Sequence, residues 1–212
     1  MRVLVVGANG QVARLTVREL AERGHEPVAM VRNENQGEGL KRLGAKKIVI
    51  ADLEADITHA FKDVDAVIFA AGSGGKTGAD KTILVDLWGA MKTVDTAMNK
   101  GIKRFVMLSS MGTVDPDKSD RIRHYLVAKK VADDYLKNSS LSYTIVRPGS
   151  LTTDEAKGLI KLEEEIQVRD NTITREDVAK VLAGVLDRKN TYQKTFEILN
   201  GSMPIDEALD SV

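Results

Sequence analysis

Tyr125-Leu126-Val127-Ala128-Lys129 sets a phenol and an ammonium four residues apart. On a helix, both side chains then lie on one face. A cation beside a phenol favours the phenolate and is expected to draw its pKa from about 10 toward neutrality. Such a group gives or takes a proton for a carbonyl/alcohol couple. Ser109 and Ser110 follow the apolar run Arg104–Leu108 and offer a hydroxyl to hold the same substrate oxygen. A Tyr-x-x-x-Lys spacing also arises by chance in a chain with four Tyr and abundant Lys. Its place gives it weight, on the helix predicted to follow the strand that carries the serines. The plain alternative for Tyr125 is a half-buried helix residue.

A second pattern would bind rather than react. Val3-Leu4-Val5-Val6 is a buried strand in type, and Gly7-Ala8-Asn9-Gly10-Gln11-Val12-Ala13 follows at once. Gly7 permits a sharp turn, Gly10 has no Cβ to hold off a ligand, and small Ala13 lets a helix sit close on the strand. The unpaired N–H groups where that helix opens, at Gln11 and Val12, would face a pyrophosphate. A strand, a tight turn carrying Asn9 and a helix in this order predict a dinucleotide site, against a merely structural turn.

The second strand ends in Arg32-Asn33, about twenty residues beyond the glycines as a dinucleotide fold requires. An acid there would accept from the ribose 2′-OH of NAD, whereas an Arg pairs with the 2′-phosphate of NADP. Arg32 therefore predicts NADP (NADPH) over NAD, with an ordinary surface Arg as the alternative. Asp52-Leu53, after the third strand, would accept from the adenine amino group and cover the ring; Asp52 could equally cap a helix starting at Glu54. Ala70, Ala71, Gly72 and Ser73 would let the nicotinamide half pass close over small residues. The same loop, Ala70 to Thr77, is one substitution short of the nucleoside-triphosphate pattern G-x-x-x-x-G-K-[ST], which would rest on Lys76. Its missing Gly falls at a turn where backbone freedom matters, and a better phosphate loop precedes it.

These residues need a scaffold, and the hydrophobic pattern supplies one. Strands are predicted at 2–6, 25–31, 47–50, 65–70, 104–108, 142–146 and 195–199. Helices are predicted near 11–22, 36–43, 79–99, 120–138, 154–164 and 175–187. Such alternation predicts a single-domain α/β fold of Rossmann type, a doubly wound parallel sheet with helices on both faces. The domain would span 1–212, with a short C-terminal substrate-side extension. Segment 150–172, with Glu163-Glu164-Glu165, is the least regular and reads as an excursion over a pocket or a plain surface connection.

Lys plus Arg equals Asp plus Glu at 31 each, so no overall charge argues for nucleic acid or anionic membrane. The chain has no Cys, which excludes disulfides and thiolate chemistry. Three His, at 25, 59 and 124, lack metal-site spacing, so no metal is expected. No apolar run approaches membrane-spanning length and the chain opens directly on a strand, so a cytoplasmic location is expected. The expected partner is a small-molecule substrate; the composition leaves the oligomeric state open.

Taken together, Gly7 to Ala13, Asp52-Leu53, Ala70-Ala71-Gly72, Ser109-Ser110, Tyr125…Lys129, Arg147-Pro148-Gly149 and Ile173 to Ala179 resemble the short-chain dehydrogenase/reductase superfamily. The likeness is to its atypical, epimerase/dehydratase-like NAD(P)-binding members and covers essentially the whole chain. It implies that Ser110 polarises the substrate oxygen, Tyr125 is the acid/base, and Lys129 binds the nicotinamide ribose and tunes Tyr125. Pro148 and its neighbours would border the nicotinamide pocket. The fourth catalytic position, an Asn in the family, falls on Asp86, which cannot donate as an amide does; a buried, hydrogen-bonded acid is the alternative there. The chain lacks most of the C-terminal lobe of sugar-nucleotide epimerases, so sugar-nucleotide epimerisation is not expected. The resemblance implies an NADP-dependent oxidoreductase acting on a small carbonyl or alcohol. A non-catalytic NADP-binding sensor and an NADPH-dependent flavin or quinone reductase stand beside it.

Overall fold

In the computed structural model, residues 1–75, 77–167 and 172–212 are described. Runs of β-branched and aromatic residues form the strands that meet at the centre: β1 (Arg2–Val6), β2 (Glu26–Val31), β3 (Lys47–Ile50), β4 (Ala66–Phe69), β5 (Arg104–Leu108) and β6 (Ser142–Pro148). β7 (Ser150–Thr152), β8 (Leu159–Glu163), β9 (Thr172–Thr174), β10 (Lys194–Asn200) and β11 (Met203–Pro204) follow. Nine of these make one sheet in the order β11-β8-β10-β6-β5-β4-β1-β2-β3, and β7 pairs with β9 apart from it. From β3 across to β10 every pairing is parallel.

Helices cover both faces because strand side chains alternate. Val3 and Val5 of β1 join a core with α1 (Gln11–Glu22), α6 (Arg175–Gly184) and α7 (Ile205–Asp210), while Leu4 and Val6 pack on the opposite side. That second core contains Ala90, Val94 and Ala97 of α4 (Ala90–Asn99) and Ala132 and Leu136 of α5 (Arg123–Lys137). The short helices α2 (Gly37–Arg42) and α3 (Ala79–Lys81) complete the set. At the N-terminal end of β5, buried Arg104 fastens the sheet to the end of α6. Its guanidinium donates to the carbonyls of Leu186, Ser142 and Val185 and to Thr144 Oγ1, and it stacks 4.3 Å from the Tyr192 ring centroid.

Two expectations are corrected. The segment near 154–164 is not a helix but contains β8, whose Leu159-Ile160-Lys161-Leu162-Glu163 alternates exposed and covered residues with period two. β8 runs antiparallel to β10, and β11 antiparallel to β8, so the sheet is parallel only up to β10. The chain reaches this edge through an irregular stretch rather than a helical crossover, which parallel pairing would need. Asp177 anchors that stretch. Its carboxylate accepts from the backbone N–H groups of Lys157 and Gly158, both at 2.9 Å. Thr174 caps α6 by accepting from the Asp177 N–H at 3.0 Å.

Candidate functional site

At the C-terminal ends of the central strands lies a cleft of about 300 Å³. Gly7, Asn9, Gly10, Arg32, Asp52, Leu53, Ala70, Ala71 and Gly72 all line it, joining most of the binding positions expected from sequence. Gly7 has φ +76°, and a Cβ there would come within 2.6 Å of Ala71 Cα, so both turn and packing demand glycine. Gly10 is different. Its φ of −66° suits any residue, and a Cβ would meet nothing closer than the Gly7 carbonyl oxygen at 3.3 Å. The backbone there does not demand glycine, and a Cβ would need only a small adjustment of its neighbour.

Helix α1 opens immediately after Gly10 with no capping side chain and no acid in its first turn. The N–H groups of Gln11 and Val12 therefore belong to an uncapped, electropositive helix end. Their side chains do not line the cleft: Gln11 is exposed and Val12 is buried in the core. Arg32 is exposed at the rim, where no carboxylate pairs with it among the described residues. Asn9 accepts from Arg14 Nη1 at 3.1 Å. Asp52 caps a turn rather than a helix, taking the Glu54 N–H on Oδ1 at 2.9 Å. Gln36, Thr77, Lys81 and Val85 also line the cleft, and Lys81 pairs with Glu54 at 2.6 Å. These four come from separate elements, so no local motif announces them. Of the triphosphate-type pattern, Lys76 lies outside the described residues.

The reactive groups gather beyond Ser73 and Val85, which line that end of the cleft. Between α3 and α4 the helix runs as π-helix over Thr82–Gly89, the rarer i→i+5 winding often found at functional sites. Asp86 lies at its centre, buried, and accepts the Ser73 N–H on Oδ2 at 2.9 Å. Gly72 leaves room for it, since a Cβ there would sit 3.2 Å from Asp86 Oδ1. The π-helical stretch packs against α5, which carries Tyr125 and Lys129. Pro148 lies on β6, and its carbonyl accepts from the Met111 N–H at 3.0 Å, beside Ser110. Lys129 and Pro148 are both buried and do not line the cleft itself.

The electrostatics of Tyr125 differ from expectation. Its phenol is raised above the ordinary value, first by burial and then by the carboxylates of Asp86 and Asp133; a hydrogen bond from Ser110 opposes this. Lys129 is buried and donates to the Leu108 carbonyl at 2.6 Å. Burial pulls its pKa down, against the pull of the same two carboxylates. The acidification predicted from Lys129 is not found: burial and the two carboxylates set the direction, and the phenol's pKa rises. Ser109 turns away from Tyr125 and donates to Asp133 Oδ2 at 2.8 Å, leaving Ser110 as the serine beside the phenol. Sequence reading missed Asp133, which lies one helical turn past Lys129, outside the Tyr-x-x-x-Lys pattern.

Among the described residues no group of three His, Cys, Asp or Glu could hold a metal ion, and no helix is long and apolar enough to cross a membrane. An open glycine turn, an uncapped helix and a rim arginine do fit a dinucleotide. Comparison with known proteins agrees. The family model described as NAD(P)H-binding matches residues 7–189. The chain is 42% identical over 214 residues to the uncharacterized sugar epimerase YhfK of Bacillus subtilis, with 99% of each covered. A provisionally named NAD-dependent epimerase/dehydratase from Bacillus halodurans superposes with a TM-score of 0.99 at 58% identity, covering 100% of both chains. The oxidoreductase ylbE from Lactococcus lactis does so with 0.87 at 30% identity, over 100% of this chain and 96% of that one. The chain belongs to the NAD(P)H-binding family and is an atypical short-chain dehydrogenase/reductase-like protein.

Proposed function

We propose that this protein is an NADPH-dependent reductase of a small carbonyl compound. The observation that carries the reading is the Tyr125 phenol beside the Ser110 hydroxyl, on the helix that packs against the π-helical stretch at the end of the cleft. Held by the glycine turn and Arg32, NADPH would supply the hydride for the carbonyl carbon. Ser110 holds the carbonyl oxygen, and Tyr125 delivers its proton there as the C–O double bond becomes an alcohol. Arg32 at the rim supports NADP over NAD, because a guanidinium matches a 2′-phosphate and has no acceptor for a hydroxyl. The substrate is a small molecule rather than nucleic acid or membrane, in keeping with the balanced charge, and the protein works in the cytoplasm.

A second reading, a non-catalytic NADPH-binding sensor, is favoured by Asp86 where the family carries an amide. The experiment is NADPH oxidation by wild type and Tyr125→Phe against aldehydes, ketones, quinones and flavins. Carbonyl reduction that falls in Tyr125→Phe supports the proposal. Turnover of quinones or flavins that survives the substitution moves the function to electron transfer without the phenol. Tight NADPH binding with no turnover of any substrate supports the sensor.

A further inference from the structure

Asp133 lies four residues beyond Lys129 and eight beyond Tyr125, on the same face of α5. Its side chain is fully buried. Three donors converge on one oxygen, Oδ2: Ser109 Oγ at 2.8 Å, and Arg147 Nε and Nη2, both at 3.0 Å. The other oxygen, Oδ1, is buried with no hydrogen-bond partner. An ion pair that only braced α5 against β6 would be expected to use both oxygens, fork to fork. A lone buried carboxylate oxygen is destabilising unless a charge nearby repays it.

Arg147 is the first such charge, and the Lys129 ammonium, one turn back on α5, is the second. That ammonium has three N–H groups and, among the described residues, one hydrogen-bond partner, the Leu108 carbonyl, with the Phe69 ring centroid 5.7 Å away. The carboxylates that act on it are Asp86 from the π-helical stretch and Asp133 from its own helix; Arg147 from β6 pairs with Asp133, and Tyr125, one turn back on α5, faces the same two carboxylates. Two carboxylates, an ammonium and a guanidinium sum to zero while the phenol stays neutral. We propose that Asp133 is a positioning residue: held by Arg147 and Ser109, it keeps the Lys129 ammonium charged and in place behind Tyr125. Burial disfavours the charged form of Lys129, and Arg147 has no proton to give up. Asp86 shares the task but also holds the Ser73 loop. The inference rests on the reading that Lys129 serves a bound NADPH.

The test uses NADPH as the probe, titrated by its nicotinamide fluorescence against the whole chain, wild type and Asp133→Asn, from about pH 7 to about pH 9.5. The two should bind alike at the low end. Asp133→Asn should then lose about tenfold in affinity at a lower pH than wild type does, because its Lys129 discharges earlier. Superimposable profiles overturn the proposal, and so does an equal loss at every pH, which a merely structural role would give. In parallel, lysine labelled with 13C at Cε is followed by NMR, the Lys129 signal being assigned by its absence from Lys129→Met. A wild-type Lys129 already neutral at pH 7 overturns the proposal even where Asp133→Asn does not fold. Failure of wild type to bind NADPH refutes the proposed function instead, and the NMR titration still decides for or against Asp133.

Discussion

The two glycines of the β1–α1 turn should respond to alanine in opposite ways. Gly7→Ala places a Cβ at φ +76° and 2.6 Å from Ala71 Cα. The left-handed backbone costs about 1–2 kcal/mol and the overpacking about 1–3 kcal/mol more. A total of about 2–5 kcal/mol corresponds to a drop in Tm of roughly 4–20 °C for a chain of this size. Gly10→Ala meets only the Gly7 carbonyl oxygen at 3.3 Å, from an ordinary backbone conformation. Its stability should stay within about 1 kcal/mol of wild type, or about 4 °C in Tm. Its methyl group nevertheless stands where a pyrophosphate must reach the Gln11 and Val12 N–H groups. Losing one charge-assisted contact there weakens NADPH by roughly 10- to 100-fold. Thermal melts with and without NADPH, together with fluorescence titration, read both quantities on the same samples. A Gly10→Ala protein that binds NADPH as wild type does would refute the assignment of this turn to the cofactor. One that melts as early as Gly7→Ala would show that Gly10 serves the fold.

Arg32→Ala should reduce the preference for NADPH over NADH by roughly 10- to 100-fold; equal wild-type titration curves for the two cofactors would remove the premise. Tyr125→Phe should lower carbonyl turnover while sparing NADPH affinity, whereas Lys129→Ala should impair both, as steady-state kinetics and titration would show. His25 is buried between the N-terminal amine and Asp187, and burial holds its pKa below the ordinary 6.5. A depressed histidine stabilises the fold above the unfolded value and loses that contribution as the pH falls through the folded one. Tm should therefore decline below about pH 6.5, and His25→Gln should flatten that decline; identical curves for the two proteins would count against it.

Much of this was legible because the chemistry is local. Four apolar residues followed by Gly7 and Gly10 define strand, turn and helix within eleven positions, and β1 and α1 fall on the predicted bounds. Leu159 to Glu163 misled because the three glutamates that follow Leu162 favour helix, while pairing with β10 decides for strand. Tyr125 misled for another reason. A pKa sums every charge and all the burial around a group, and Lys129 is only the neighbour that the spacing reveals. Asp86 and Asp133 enter through packing of the π-helical stretch and through the buried face of α5. Lys81 and Gln36 reach the cleft from different helical segments, so only the folded chain brings them together.

The π-helical winding from Thr82 to Gly89 also makes this helix a gearbox between two surfaces. Upstream, Thr77 and Lys81 face the cleft; downstream, Val94 and Ala97 mesh with the sheet. A single residue is about 100° of rotation on a helix. A one-residue deletion inside the stretch would let it relax toward α-helical winding, with the core teeth still engaged and the upstream end turned. Asp86 and Lys81 would then be re-aimed with no substitution at either. A change of one residue in length at this point would thus alter what the cleft end of the helix presents, separately from the sheet that carries it.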